Sequence, residues 1–338
     1  MNLRDLEYVV AVATHGHFGR AAAACNVSQP TLSGQILKLE AELGLRLFDR
    51  EGRGARVSDR AATVVAQARA TLAAAAAVSV AADAARDPFA GELRLGVITT
   101  VAPYLLPIAL PGLAEALPQT PLYLVEDLTD RLLARLRDGA LDAAVIATDP
   151  REAKLASIEL YDEPFFLVFS DHRKKRGRAS IGVEEIDPST LLLLAEGHCL
   201  RDQTLALCNA AERTALGADV RGTSLETLRH LASAGQGATL APLLAYADWR
   251  RSRAGIAGLK IVGDGASRKV RLIFKRGSPR EAALDALAAS LRSTAGAVLA
   301  RCLRETESDL KRASGPVWRV PKQTDSPRHL PTPRAETP

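Results

Sequence analysis

The chain reads as an α/β protein in three parts: a small helical module at the N-terminus, one long helix, and a domain of alternating strands and helices. Three observations predict this. Apolar residues keep helical spacing through the first four dozen positions. An alanine-rich stretch nearly free of glycine and proline follows, from Ser58 to about Arg86. Beyond Gly91, short apolar runs alternate with helix-like segments, the pattern of βα units in a mostly parallel sheet.

The elements follow in order. A first helix spans Leu3 to His15, with Leu6, Val9, Val10 and Ala13 on one face. A second begins near Phe18 and runs through Cys25, and Asn26-Val27-Ser28 form a tight turn. Ser28 is a good N-cap and Pro30 suits a first turn, so a third helix continues through Leu32, Ile36 and Leu39 to Leu43, ended by Gly44. Arg46-Leu47-Phe48 and Ala55-Arg56-Val57 are expected to pair as two strands around a turn from Asp49 to Gly54. Val64, Val65, Ala68, Leu72 and Ala76 of the long helix keep near-heptad spacing with small side chains, which suits either a dimer seam or a helix lying on its own domain. Asp87-Pro88 ends it. Further on, strands are expected at Glu92–Ile98, Leu122–Val125, Ala143–Ala147, Phe165–Phe169, Thr190–Leu194 and Lys269–Phe274, with helices at Pro103–Leu117 and Thr129–Leu136. Six of the eighteen prolines lie between Pro316 and Pro338, so residues 303–338 read as a disordered tail.

Composition bounds the function classes. With 338 residues, 47% hydrophobic and 25% charged, the chain suits a globular protein of more than one domain. No apolar run reaches the roughly 20 residues that cross a bilayer, and the acidic start lacks a secretory core, so a cytoplasmic protein is expected. The net charge of +5 is matched by one run, Arg173-Lys174-Lys175-Arg176-Gly177-Arg178, which reads as a solvated loop. Cys25, Cys199, Cys208 and Cys302 are too few for a disulfide scaffold, so any pairing among them points to catalysis, metal or redox sensing.

The third helix presents Ser28-Gln29-Pro30-Thr31-Leu32-Ser33-Gly34-Gln35 at its N-terminal end. A helix that enters the major groove needs small polar side chains there, and Gln29, Thr31, Ser33 and Gln35 supply them while Leu32 and Ile36 face inward. Arg50, Arg53 and Arg56 on the hairpin are placed to grip phosphates, which positions such a module without reading sequence. Further along the chain, Cys199 lies between His198 and Arg201 at the start of a helix expected from Leu200. A free thiol ionises near pH ~8.5, and a helix N-terminus with a nearby cation favours the reactive thiolate. Two cysteines nine residues apart on a helix are, taken alone, more often unrelated core residues, and a zinc site needs further ligands.

The stretch Phe18-Gly19-Arg20-Ala21-Ala22, Val27 to Ser33, Leu39-Glu40, Glu42-Leu43-Gly44 and Leu47-Phe48-Asp49-Arg50 closely resembles the DNA-binding domain of LysR-type regulators. The resemblance implies a winged helix-turn-helix over 1–58, a dimerising linker helix over 59–87, and a two-lobed, periplasmic-binding-protein-like sensor over 91–302. Cys25 is then expected as a small buried residue. The segment Glu196 to Cys208 resembles the hydrogen-peroxide-sensing OxyR branch of that family, as do Pro103-Tyr104-Leu105-Leu106-Pro107, Thr223 to Arg229 and Leu6 to Val10. By that resemblance Cys199 is the peroxidatic cysteine and Cys208 the resolving one, and Thr100, Thr129, His198 and Arg268 hold peroxide. Thr99 stands where a proline is expected, a departure in that loop. Nine helical residues span about 13 Å and a disulfide needs Cα atoms within ~7 Å, so on one helix the bond forms only with unwinding.

The implied partners are a double-stranded DNA operator, hydrogen peroxide as signal, a second dimer in a homotetramer, and RNA polymerase. No cofactor, metal or membrane partner is expected. One alternative is a LysR-type regulator whose cleft takes a small metabolite and whose cysteines are incidental. Another is a solute-binding protein or cleft enzyme of the same fold, disfavoured by the N-terminal module and by the want of a nucleophile, base and orienting group for turnover.

Overall fold

The computed structural model describes residues 1–51, 54–171, 179–207, 221–222, 224–252 and 255–312. Arg53, Cys208, the basic run from Arg173 to Arg178 and residues 313–338 lie outside them. Two compact units divide the chain: Met1–Tyr161 with Lys269–Ala295, and Asp162–Arg268 with the chain from Gly296 on.

The first unit opens with α1 (Leu3–His15), α2 (Phe18–Ala24) and α3 (Gln29–Leu43). Each boundary has a local cause. The Asn2 side chain accepts from the Asp5 amide in a capping box, and Gly16 closes α1 at φ 59°. The Ser28 hydroxyl accepts from the Thr31 amide, Pro30 occupies the first turn, and Gly44 ends α3 at φ 62°. Leu6, Val9, Val12, Leu32, Ile36, Leu39 and Phe48 close a shared core. β1 (Phe48–Glu51) and β2 (Gly54–Val57) form an antiparallel wing in the register Phe48↔Val57 to Glu51↔Gly54. The wing thus starts two residues later than the sequence suggests and carries Asp49 and Arg50 on a strand. The amides of Leu47 and Phe48 both donate to Glu40 Oε1, which ties residue 47 to α3.

The long helix α4 (Ala62–Arg86) starts four residues beyond Ser58, after a turn in which the Ala61 amide donates to the Ser58 carbonyl. Val65 and Ala68 are buried in the head's core, whereas Ala76 is exposed and Val78 is 70% exposed. The first half of α4 therefore lies on its own domain, and among the described side chains of the second half Ala76, Val78 and Ala82 are exposed.

The same unit holds a sheet in which β3 (Leu93–Ile98) runs parallel to both β4 (Leu122–Asp127) and β5 (Ala143–Ile146). α5 (Ala102–Ala116) and α6 (Thr129–Arg137) make the crossovers. Gly96 lets α6 approach β3: a Cβ there would sit 2.7 Å from both Leu132 and Leu141 side chains. In the second unit, the later part of β6 (Leu155–Ser170) is flanked by antiparallel β10 (Thr239–Pro242) and β11 (Ile256–Val262), with β7 (Ser180–Gly182) parallel to β11. β8 (Leu193–Leu194) pairs with β9 (Arg221–Gly222), and α7 (Cys199–Leu207), α8 (Leu225–Ser233) and α9 (Leu243–Arg251) pack around them. Phe165, Phe166, Phe169 and Trp249 fill this core.

The sheets are mixed rather than mostly parallel. β12 (Ser267–Lys275) returns to the first unit and runs against β5, from Arg271↔Ile146 to Phe274↔Ala143. The strand expected at Thr190–Leu194 is shorter, because Pro188 and an Asp187 side chain accepting from Ser189 turn the chain first. Finally, α10 (Glu281–Arg312) continues ten residues past Cys302, so the expected disordered tail begins with helix. Cys302 and Thr306 are buried along it.

Candidate functional site

Along α3, Gln29, Thr31 and Gln35 are exposed and Ser33 is half-buried. Leu32 and Ile36 face the core with 0% and 1% exposure, so the helix offers its polar stripe outward. The Ser28 and Thr31 hydroxyls lie 2.8 Å apart, which fixes both at the tip of the helix. A Cβ added at Gly34 would meet nothing within 4 Å among the described residues, and exposed Lys38 continues the face one turn on from Gln35. Lys38 was not singled out from the sequence, although its spacing from Thr31 and Gln35 marks the same face. On the wing Arg56 is exposed and 4.0 Å from Asp59, and Arg50 lies on β1.

The residues expected from the sequence to hold and react with peroxide fall in both units. Thr100 and Thr129, both buried, stand two residues past the paired strand ends Ile98 and Asp127. The carboxyl edge of adjacent parallel strands is where open α/β sheets bind ligands. Thr129 is the first residue of α6, and its Oγ1 is buried with no hydrogen-bond partner among the described residues. A buried hydroxyl left open in this way asks for a ligand or a water.

In the second unit Gly197 adopts φ 90°, a conformation that favours glycine, and turns the chain into His198 and Cys199. Both are buried, at 8% and 7% exposure, and Cys199 is the first residue of α7, one earlier than expected. Arg201 is held away from a simple role beside the thiol, since its Nη1 donates to the Leu194 carbonyl at 3.0 Å. Asp202 adds an acid to the same first turn. Cys208, one residue past the end of α7, lies outside the described residues.

Arg268 carries a partner that the sequence did not point to. Its Nε and Nη2 donate to Glu163 Oε2 at 2.9 and 2.8 Å, and the side chains are 1% and 0% exposed. Glu163 Oε1 accepts from the Leu244 amide in the first turn of α9. Glu163 was missed in the sequence, where its signal was an acid at the head of the apolar run Pro164 to Phe169, a place that demands a partner. Cys25, the C-cap of α2, is only half-buried; burial and then Glu7 push its thiol above the ordinary range, against a smaller opposing effect of Arg4. Cys302 is fully buried, with Arg251 Nη2 3.8 Å from its sulfur. Among the described residues no cluster of three His, Cys, Asp or Glu forms a metal site, and no helix is long and apolar enough to cross a membrane.

Residues 3–62 match the bacterial regulatory helix-turn-helix protein family, lysR type, and residues 86–296 match the LysR substrate binding domain. The chain is 39% identical over 297 residues to the DNA-binding transcriptional dual regulator OxyR of Escherichia coli K12, covering 87% of this chain and 95% of that one. It is 40% identical over 296 residues to the hydrogen peroxide-inducible genes activator of Dickeya chrysanthemi, with 86% and 95% covered. Among solved structures, a full-length OxyR variant from Pseudomonas aeruginosa superposes with a TM-score of 0.68 at 37% identity, over 86% of this chain and 95% of that chain. A peroxide-bound OxyR mutant from Corynebacterium glutamicum gives 0.61 at 33% identity, over 90% and 95%.

Proposed function

The chain belongs to the LysR family of bacterial transcription regulators, in its hydrogen-peroxide-sensing branch, and from that premise we propose that it is switched by a disulfide between Cys199 and Cys208. The supporting observation is the setting of Cys199, buried beside His198 in the first turn of α7, where the helix dipole favours a thiolate. The Cys199 thiolate attacks one oxygen of peroxide, the O–O bond breaks, and the departing hydroxide takes up a proton as water. Cys199 is left as a sulfenic acid. The Cys208 thiol then displaces that hydroxyl as a second water, and two thiols have become one disulfide.

Thr100, Thr129 and His198 hold the peroxide in this reading; a hydroxyl both donates and accepts, so each can meet either peroxide oxygen. Arg268 serves as a donor already neutralised by Glu163. Reaching Cys208 requires α7 to unwind, because the eight rises from Cys199 to Leu207 already carry the chain about 12 Å along the axis. A discrete refolding of that kind suits a switch.

On DNA, Gln29, Thr31, Ser33 and Gln35 read bases, and Arg50, Arg53 and Arg56 hold phosphates. Residues 1–58 bind the operator, 59–87 dimerise, and 91–302 sense. Two dimers join through their sensors as a tetramer that addresses RNA polymerase, in a cytoplasmic, nucleoid-associated protein. The test is a count of free thiols before and after equimolar peroxide, with peptide mapping. Two thiols per chain are expected to disappear, with Cys199 linked to Cys208 and with Cys25 and Cys302 still reactive after denaturation. Cys302 in the main oxidised product overturns the assignment.

A further inference from the structure

The chain leaves α4 at Asp87 and enters β3 at Leu93, so residues 88–92 are the covalent joint between the linker helix and the regulatory domain. They form no helix or strand, and their carbonyls must find donors elsewhere. Every one of them accepts a side-chain hydrogen bond. Arg280 Nε donates to the Pro88 carbonyl at 3.4 Å, Nη2 to those of Ala90 and Gly91 at 3.0 Å each, and Nη1 to that of Glu92. The remaining carbonyl, of Phe89, accepts from Thr120 Oγ1 at 2.7 Å.

Arg280 is itself buried, at 4% exposure, and its counter-charge is Asp142 Oδ2, 3.8 Å from Nη1. The two residues flank the same rung of sheet: Asp142 immediately precedes the pair Ala143↔Phe274, and Arg280 follows β12 after a short turn. The Arg280 carbonyl accepts from the Leu284 amide, so its backbone also opens α10. A planar fork of five donors fits four carbonyls in a curved segment, whereas a lysine's three donors radiate from one atom. At its other end β12 begins at Ser267 and Arg268, the latter held by Glu163 in the sensor. One strand and the short turn after it thus link the Glu163–Arg268 ion pair to the residue that grips the joint.

We propose that Arg280 is the positioning residue that couples the regulatory domain to the DNA-binding head, holding residues 88–92 in one conformation so that rearrangement in the sensor reaches α4. The proposal rests on the redox reading above. Full-length Arg280→Lys and Arg280→Met are compared with the parent for thiol loss in peroxide, affinity for DNA with a single half-site, and affinity for a full operator in both redox states. Thiol loss and half-site binding are expected to match the parent. The ratio of oxidised to reduced operator affinity falls from the roughly 5- to 150-fold range of ordinary allosteric coupling to about one. A purely structural role would lower all three together.

Thr120→Val, which removes one donor from the same segment and leaves Arg280 in place, is the milder arm, with a partial fall expected. Variants that keep the parent's ratio overturn the proposal. A parent that loses no thiols overturns the redox reading instead, and Arg280 is then judged by hydrogen exchange across residues 88–93. Protection there is expected in the parent and lost in Arg280→Lys; equal protection in both overturns the assignment.

Discussion

Glu163 and Arg268 show what a single pair of charges does when solvent is withdrawn. With both side chains essentially inaccessible, neither has water to fall back on. Removing one strands the other, which costs about 3–5 kcal/mol, while replacing both by apolar residues of similar volume is near neutral. Glu163→Ala is therefore expected to lower the unfolding free energy by about 3–5 kcal/mol. The double variant Glu163→Leu with Arg268→Met is expected to recover most of that in chemical denaturation. Equal losses in the single and double variants would show that the pair's charges are not what holds this site. In the proposed peroxide site Arg268 would act as half of an ion pair rather than as a bare cation. The Thr129 hydroxyl is the opposite situation, a buried group with no hydrogen-bond partner among the described residues.

Among the elements, α3 was legible almost to the residue because three local signals agree: an N-cap serine, a first-turn proline and a left-handed glycine at the end. The buried faces of α1 and α3 followed from spacing alone. Strand direction was not legible, since apolar runs look the same whichever way they pair; β10, β11 and β12 all turned out antiparallel to neighbours. The end of α10 was misread from its neighbour's composition. Leu299, Cys302 and Thr306 lie at helical spacing and are buried, and no proline interrupts the chain until Pro316. At the candidate site, Cys199 and His198 could be found by motif, whereas Glu163 and Arg280 act through contacts more than a hundred residues away in sequence. The exposed polar stripe of α3 and the wing make distinct predictions. Arg56→Ala is expected to weaken all DNA sequences alike and lower the salt slope by about one, as for one lost phosphate contact. Gln35→Ala is expected to relax preference at one or two base pairs with the slope intact. Titrations over a salt series on specific and scrambled duplexes separate them, and a sequence-selective Arg56→Ala would refute the wing assignment.

For the whole molecule, the half of α4 that leaves Ala76 and Val78 open calls for a partner, since apolar side chains of a helix are ordinarily covered. In the proposed assembly a dimer through that surface and a second contact through the sensors would give a tetramer, with DNA-binding heads spaced by about one helical turn, ~10 bp. Sedimentation is expected to give four chains, and footprints of reduced and oxidised protein on one operator are expected to differ in the spacing between the dimers. Identical footprints with a two-chain mass would remove any route from Cys208 to the distant groove.

Neither compact unit is a single run of sequence, and this sets the order in which a chain emerging from the ribosome becomes structured. The helix-turn-helix head is complete once β2 and the first half of α4, which carries Val65 and Ala68 into its core, have been synthesised. β5, however, waits with an open edge until β12 appears, more than a hundred residues later. The second unit, although most of it is made in between, still lacks the turns of α10 that carry Cys302 and Thr306 to Arg251 and Arg250. Such distant closures expose unpaired strand edges for as long as translation lasts. Chains truncated at residue 265 are expected to yield a protease-resistant head and no resistant lobe, those ending at 295 to protect the first unit, and those ending at 312 to resist throughout. Resistance of a lobe in the shortest chain would mean that the early strands can close without their late partner. In the expected order, the regulator acquires its grip on DNA well before it acquires its sense of peroxide, so nascent chains could occupy operators before oxidation can switch them.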